Sequence, residues 1–261
     1  MRIAGSADGA SLGDPIVVST PKNFEDAMGV FEAEFKKLLG ADTVDGVAGG
    51  MSALLDDGHN EILFAPNLPE WVGKPIGETL ARIAGGKVQI DNDVVMVALG
   101  EAMKGAGVGF EQVAYLTVST GVNGSRILSG RVDRGRHGFE IGQQIIDMES
   151  LATLEDVISG TAIAKKYGKH PGEIMDSAVW DEVAKNTAIG VNNLILHWSP
   201  DVVVIGGSMV VKKVGISVDA VAKHLEKMIK VKGELPLIKK AMLGDSGGLF
   251  GSLAYLRSKL A

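Results

Sequence analysis

The sequence predicts an α/β protein in two halves, on three observations. Short β-branched runs alternate along the whole chain with stretches whose apolar residues recur at helical spacing. One run, residues 202–205, is fully apolar, as in a strand buried on both faces of a parallel sheet. The 35 glycines follow no Gly-X-Y period, so they mark turns and close backbone approaches rather than a fibre.

Each element follows in order. Residues 16–19 form a β-branched strand closed by Thr20-Pro21. Phe24, Met28, Phe31, Phe35 and Leu38 then make an apolar helical stripe, with Asn23 as its N-cap. Residues 44–48 are a strand entering Gly49-Gly50, Asp56-Asp57-Gly58 a turn, and 61–65 a short strand. Residues 76–84 read as a helix stopped by Gly85-Gly86. Residues 88–90 are a strand running into Asp91-Asn92-Asp93, and 94–103 an apolar helix. The glycine-rich stretch 105–109 is the candidate hinge. Beyond it, 113–118 and 127–132 are strands joined by a turn at 121–125, and 154–167 and 180–198 are helices. The strand 202–205 ends in Gly206-Gly207-Ser208, and helices follow near 218–229 and 248–259.

Composition removes several function classes. At 261 residues and roughly 150 per domain, one large or two small domains are expected. Zero cysteines exclude disulfides, zinc–thiolate and iron–sulfur sites and a cysteine nucleophile, and fit a reducing cytoplasm. The net charge of −6 argues against nucleic acid as the main partner. No apolar run approaches the roughly 18–20 residues that span a bilayer, and the opening Met1-Arg2-Ile3-Ala4-Gly5-Ser6 is too polar for a signal peptide.

Four segments carry candidate chemistry. Asp91-Asn92-Asp93 stands where a strand hands over to a helix, the place where ligands gather in open α/β sheets. A carboxylate there can take a proton from a substrate hydroxyl, or Asn92 or Asp93 can simply cap the helix. The segment 117–125, Thr-Val-Ser-Thr-Gly-Val-Asn-Gly-Ser, can cradle phosphate with its amides and hydroxyls. It can equally be a hairpin turning at Asn123-Gly124. Ile205-Gly206-Gly207-Ser208 would let a flat nucleotide approach the backbone. His137-Gly138-Phe139-Glu140-Ile141-Gly142-Gln143 brings acid, amide and imidazole together, with no second histidine at metal spacing. Glu155 near a helix start is, by default, a charge favoured by the helix dipole. Gly244-Asp245-Ser246-Gly247-Gly248 spells a trypsin-like nucleophile motif, but here it opens a helix in an α/β pattern and is set aside.

The ordered set resembles the ROK (repressor, open reading frame, kinase) family of sugar kinases, from about residue 16 to 256. Pro66-Asn67-Leu68-Pro69-Glu70-Trp71 is similar to its Pro-Asn-(Leu/Ile)-Pro-Gly-Trp segment, and Gln89-Ile90-Asp91-Asn92-Asp93 with Ala98-Leu99-Gly100-Glu101 to its Glu-Asn-Asp-Ala-Asn…Ala-Leu-Gly-Glu. Residues 116–124, 138–143, 154–163, 203–208 and 243–251 resemble further motifs in the family order. The resemblance implies a two-domain, actin-like ATPase (RNase H-like) fold. The smaller domain would be 1–104 with the C-terminal helix at about 246–261, and the larger 105–245. It implies a small-molecule sugar and ATP with Mg²⁺ as ligands, and a homodimer. Asp93 falls on the general base, acting usually on a C6 hydroxyl. Asn67, Asn92, Glu140, Gln143 and Glu155 fall on sugar-holding positions, and Ser119, Thr120, Gly121, Gly124, Gly206 and Gly207 on the nucleotide side.

Departures from the family pattern lie at the N-terminus and at the zinc set. The family's opening strand, ending in the phosphate loop Asp-X-Gly-Gly-Thr-Lys, is missing or degenerate. In one register residues 1–4 are that strand and 6–11 a decayed loop. In the other, favoured register, residues 2–21 match the second and third strands and the first is absent. Gln143 replaces the zinc-linked histidine, and no cysteine cluster follows, so no zinc is expected. Two functions compete: an ATP-dependent kinase for a hexose or N-acetylhexosamine, and a catalytically impaired pseudokinase that binds sugar or regulates. In either case weak ATP binding is the expectation.

Overall fold

The computed structural model describes residues 1–40, 42–135, 138–212, 214–230 and 233–260. The chain divides into two units, Met1–Gly100 with Ser246–Ala261, and Glu101–Asp245. The division falls inside a helix, ahead of the glycine-rich stretch 105–109. That stretch is fastened to unit 2, because Gly107 N–H donates to the Glu101 carbonyl at 2.9 Å and Ala106 N–H to the Glu101 carboxylate at 2.9 Å.

Unit 1 opens with strands β1 (Arg2–Ile3) and β2 (Ile16–Val17), paired antiparallel. Helix α1 (Phe24–Leu39) starts as expected at Asn23, whose side chain accepts the Asp26 N–H at 3.0 Å. Strand β3 (Gly46–Met51) runs through Gly49-Gly50 instead of ending there. Two short strands, β4 (Leu54–Leu55) and β5 (Ile62–Phe64), pair antiparallel, and helix α2 (Ile76–Ala84) stops at a left-handed Gly85. Strand β6 (Lys87–Asn92) lies parallel to β3 and leads without a loop into α3 (Asp93–Lys104). Phe24, Met28, Ile62, Trp71, Leu80 and Ile90 form the core of this unit.

Glycine is demanded at Gly50 by that handover: a Cβ there would sit 2.9 Å from the Asp93 Cα. The last helix (Gly247–Leu260) meets α3 at backbone contact, since a Cβ on Gly251 would lie 1.6 Å from the Met96 carbonyl oxygen. Leu256 of the same helix covers Gly46 of β3.

Unit 2 carries β7 (Gln112–Val118), β8 (Val122–Leu128) and β9 (Arg131–Asp133), an antiparallel meander. The expected turn at 121–125 is therefore not a turn. The chain reverses at 119–121, and Asn123 and Gly124 belong to β8. The second reversal is at Ser129-Gly130, both with positive φ (48° and 72°), the conformation that matches strand twist in a tight hairpin. The single helix expected over 154–167 is two, α4 (Leu154–Ile158) and α5 (Gly160–Tyr167). Ser159 ends the first and caps the second through the Ala162 N–H. Helix α6 (Ser177–Trp198), strand β10 (Val202–Gly206), and helices α7 (Ser208–Val211) and α8 (Val218–Met228) follow. Strand β11 (Leu237–Lys240), which the sequence did not suggest, precedes the last helix, α9.

The five strands form one sheet in the order β11-β10-β7-β8-β9, with β10 and β11 parallel to β7. Every residue of β10 is buried, as its apolar sequence requires. Glu101, 1% exposed, closes one end of the unit by accepting the N–H groups of Ala106, Met242 and Leu243 at 2.8–2.9 Å. Among the described residues no helix is long and apolar enough to cross a membrane.

Candidate active site

In unit 1 the carboxyl end of β6 delivers Asp91 and Asn92, and Asp93 is the first residue of α3. The Val94 N–H donates to Asn92 Oδ1 at 2.9 Å and to Asp93 Oδ1 at 3.0 Å, so both side chains cap the helix. Asn92 is held further by its Nδ2, 3.4 Å from the Ala53 carbonyl, and by its N–H, 2.7 Å from Asp91 Oδ1. Burial pushes the Asp93 carboxyl above the usual aspartate range, and the Val94 N–H opposes the shift without cancelling it. The arrangement is a fixed carboxylate with raised proton affinity at a strand end, which suits a base. Asn67 stands apart on an exposed turn, where its carbonyl accepts Lys22 Nζ at 3.0 Å.

In unit 2 the expected phosphate-side residues converge. The carbonyls of Ser119 and Thr120 accept the N–H groups of Gly160 and Thr161, at 2.7 and 3.3 Å, and Thr161 Oγ1 adds a 2.8 Å bond to Thr120. Ser119 Oγ lies 3.0 Å from Ser208 Oγ, which ties the turn after β7 to the turn after β10. Gly206 ends β10, and Gly207 leads into Ser208, the first residue of α7. Their lack of side chains is required by the fold itself. A Cβ on Gly206 would fall 2.4 Å from the Tyr115 hydroxyl, and Gly207 has φ +90° with the Val118 carbonyl 2.3 Å from where its Cβ would be. Gly124 lies in β8, packed against Tyr115 and Ile141.

The acid–amide group converges beside this turn. Glu155 Oε2 accepts the Val122 N–H at 2.7 Å, its Oε1 lies 3.3 Å from Gln143 Nε2, and Glu140 receives Asn123 Nδ2 at 3.5 Å. Partial withdrawal from water and the neighbouring Glu155 carboxylate push Glu140 upward. Glu155 is thus more than a helix-dipole charge: it joins Gln143 to the start of β8. His137 lies outside the described residues. Among those described, no group of three or more histidine or acidic side chains could hold a metal ion.

Thr161 and Ser208 stand inside motifs of the sequence without an assigned role, and Asn123 stands there only as a turn residue. Their signal was polarity within a glycine-rich turn, and only the tertiary partners turn it into an assignment.

Residues 7–259 match the ROK family. A glucokinase from Thermotoga maritima is 28% identical over 61% of this chain and 62% of its own length. An N-acetyl-D-glucosamine kinase from Pasteurella multocida is 28% identical over 71% and 72%. The chain spans 64% and 62% of the length of the first curated relatives it matches. The structure of a ROK hexokinase from Thermus thermophilus superposes with a TM-score of 0.84 at 27% identity, covering 100% of this chain and 96% of that one. The two α/β units are accordingly those of the actin-like ATPase fold of ROK sugar kinases, and the chain belongs to the ROK family.

Proposed function

We propose that the protein is an ATP-dependent sugar kinase that phosphorylates a hydroxyl, at C6, of a hexose or N-acetylhexosamine. One observation carries the reading: Asp93 stands at the end of β6 as a fixed carboxylate whose proton affinity is raised. Asp93 takes the hydroxyl proton as the sugar oxygen attacks the γ-phosphorus, the bond to the β-phosphate oxygen breaks, and ADP leaves. Asn67, Asn92, Glu140, Gln143 and Glu155 hold the other sugar hydroxyls, and neutral Gln143 does so without zinc. Ser119, Thr120 and Gly121, with Gly206, Gly207 and Ser208, face the nucleotide, which enters with Mg²⁺ and supplies the phosphoryl group. Such chemistry is mostly positioning and charge stabilisation, and the fixed Ser119–Ser208 and Glu155–Val122 contacts supply positioning. A cysteine-free user of ATP fits the cytoplasm, and the assembly we expect is a homodimer.

A coupled assay for ADP over a panel of hexoses and N-acetylhexosamines tests this, with calorimetry for sugar and ATP separately. Sugar-dependent ADP release is the expected result. Sugar binding with no ADP release from any sugar would replace the kinase with the non-catalytic alternative. The relatives, named as kinases, lend that alternative no support.

A further inference from the structure

A cavity of about 270 Å³ lies wholly within unit 2, between the turn Ile141–Gln143 and the C-terminal end of α6. Its lining has two characters. Leu194 and Trp198 give it an apolar side, while Glu140, Gln143, Asn193 and His197 give it a polar one. Asn193 and His197 are four residues apart on α6 and so share a face.

The polar side is pre-set. Asn193 Nδ2 donates to Gln144 Oε1 at 2.9 Å, and Gln144 Nε2 donates to the Ile141 carbonyl at 3.0 Å. These two bonds fix the plane of the Asn193 amide. Its Oδ1 has one long contact, 3.3 Å from Asn192 Nδ2, and keeps acceptor capacity. The exposed His197 side chain makes no hydrogen bond among the described residues, so its ring nitrogens are open to a ligand.

A sugar hydroxyl needs a polar partner or two and no apolar surface. An acyl-amino group needs all three features at once: a donor for its carbonyl, an acceptor for its N–H and an apolar place for its methyl. The cavity offers them together, with His197 or Gln143 as donor, Asn193 or Glu140 as acceptor, and Leu194 with Trp198 for the methyl. We propose that this cavity receives the acetamido group of a 2-acetamido hexose, so that Asn193 and His197 select N-acetylhexosamines over the parent hexoses. The proposal rests on the reading that Glu140 and Gln143 hold the sugar ring.

The test is calorimetric binding of N-acetylglucosamine, glucose and glucosamine to the full chain, alongside turnover on each. N-acetylglucosamine should bind about tenfold or more tightly than the other two, the range in which a pocket discriminates a missing group. Asn193→Leu, and separately His197→Ala, should each cut that preference several-fold, read as a ratio between sugars that general destabilisation would not move. The exposed His197 keeps the test available if Asn193→Leu fails to fold. Equal binding of glucose, or an undiminished preference in both variants, overturns the proposal. Preference without turnover would sink the kinase reading alone, turnover without preference would sink this proposal alone, and no binding of any sugar would sink both.

Discussion

Unit 2 gathers its antiparallel and parallel strands into one sheet because β7 pairs with β8 on one side and with β10 on the other. Unit 1 has two antiparallel pairs, β1–β2 and β4–β5, and a parallel pair, β3–β6, yet among the described residues no strand of unit 1 plays the part of β7. Burial follows the difference. All five residues of β10 are buried, while no residue of β3 is. Unit 1 compensates through helices: α9 covers β3 with Leu256 and meets α3 backbone to backbone at Gly251. The proposed base therefore sits on the strand pair that depends most on helix packing, while the turn assigned to phosphate grows from the better-buried sheet.

The largest effect should come from Asp93→Asn, which keeps size and capping but cannot take a proton. Turnover should fall by about 10²-fold or more with sugar affinity little changed. Steady-state kinetics on the preferred sugar reads both, and normal turnover would remove Asp93 from the reaction. The pH profile sharpens this. The base must be deprotonated, and its pKa is raised, so activity should drop as pH falls through a value above the ordinary aspartate range. A flat profile down to the usual aspartate range would contradict the buried carboxylate.

Next in size is Glu101→Ala in unit 2. It leaves three backbone N–H groups without their acceptor and should cost about 3 kcal/mol in urea unfolding. A loss under about 1 kcal/mol would mean that water replaces the carboxylate there. A matched pair then weighs the two sheets directly. Val203→Ala, fully buried in β10, should cost about 2–3 kcal/mol, and Val47→Ala, half-buried in β3, about 1 or less. Amide exchange should follow the same order, with β10 slower than β3. Equal costs and equal exchange would show that helix cover makes the two sheets equivalent. The smallest effect is Asn23→Ala, removing the α1 cap from unit 1, at about 1 kcal/mol in the same unfolding measurement.

What was legible in the sequence was what local chemistry decides. Asn23 and Gly85 bound their helices as expected, and the apolar run at 202–205 is a buried strand. What was not legible depended on partners distant in sequence. Asn123-Gly124 carries a strong local turn signal, but pairing with β7 places it in a strand and leaves the reversal to Ser119–Gly121. Ser159 interrupts a continuous helical pattern because the Gly160 N–H donates to the Ser119 carbonyl and Ser159 Oγ accepts the Ala162 N–H. Strand β11, short and half lysine, has little period of its own and exists because β10 offers it an edge. The site divides in the same way. Asn92 and Asp93 could be placed at a strand end from sequence, whereas the bond from Glu155 to the Val122 N–H needed the fold.

The interrupted path of unit 1 has a consequence for how the chain is made. Residues 101–245 leave the ribosome before α9 does, and they form a compact unit of their own. Unit 2 can thus fold during synthesis, while Gly46 and Met96 wait for Leu256 and Gly251 to arrive. A nascent chain paused at residue 245 would carry a finished unit 2 and an unfinished unit 1, so the part bearing Asp93 is the last to mature.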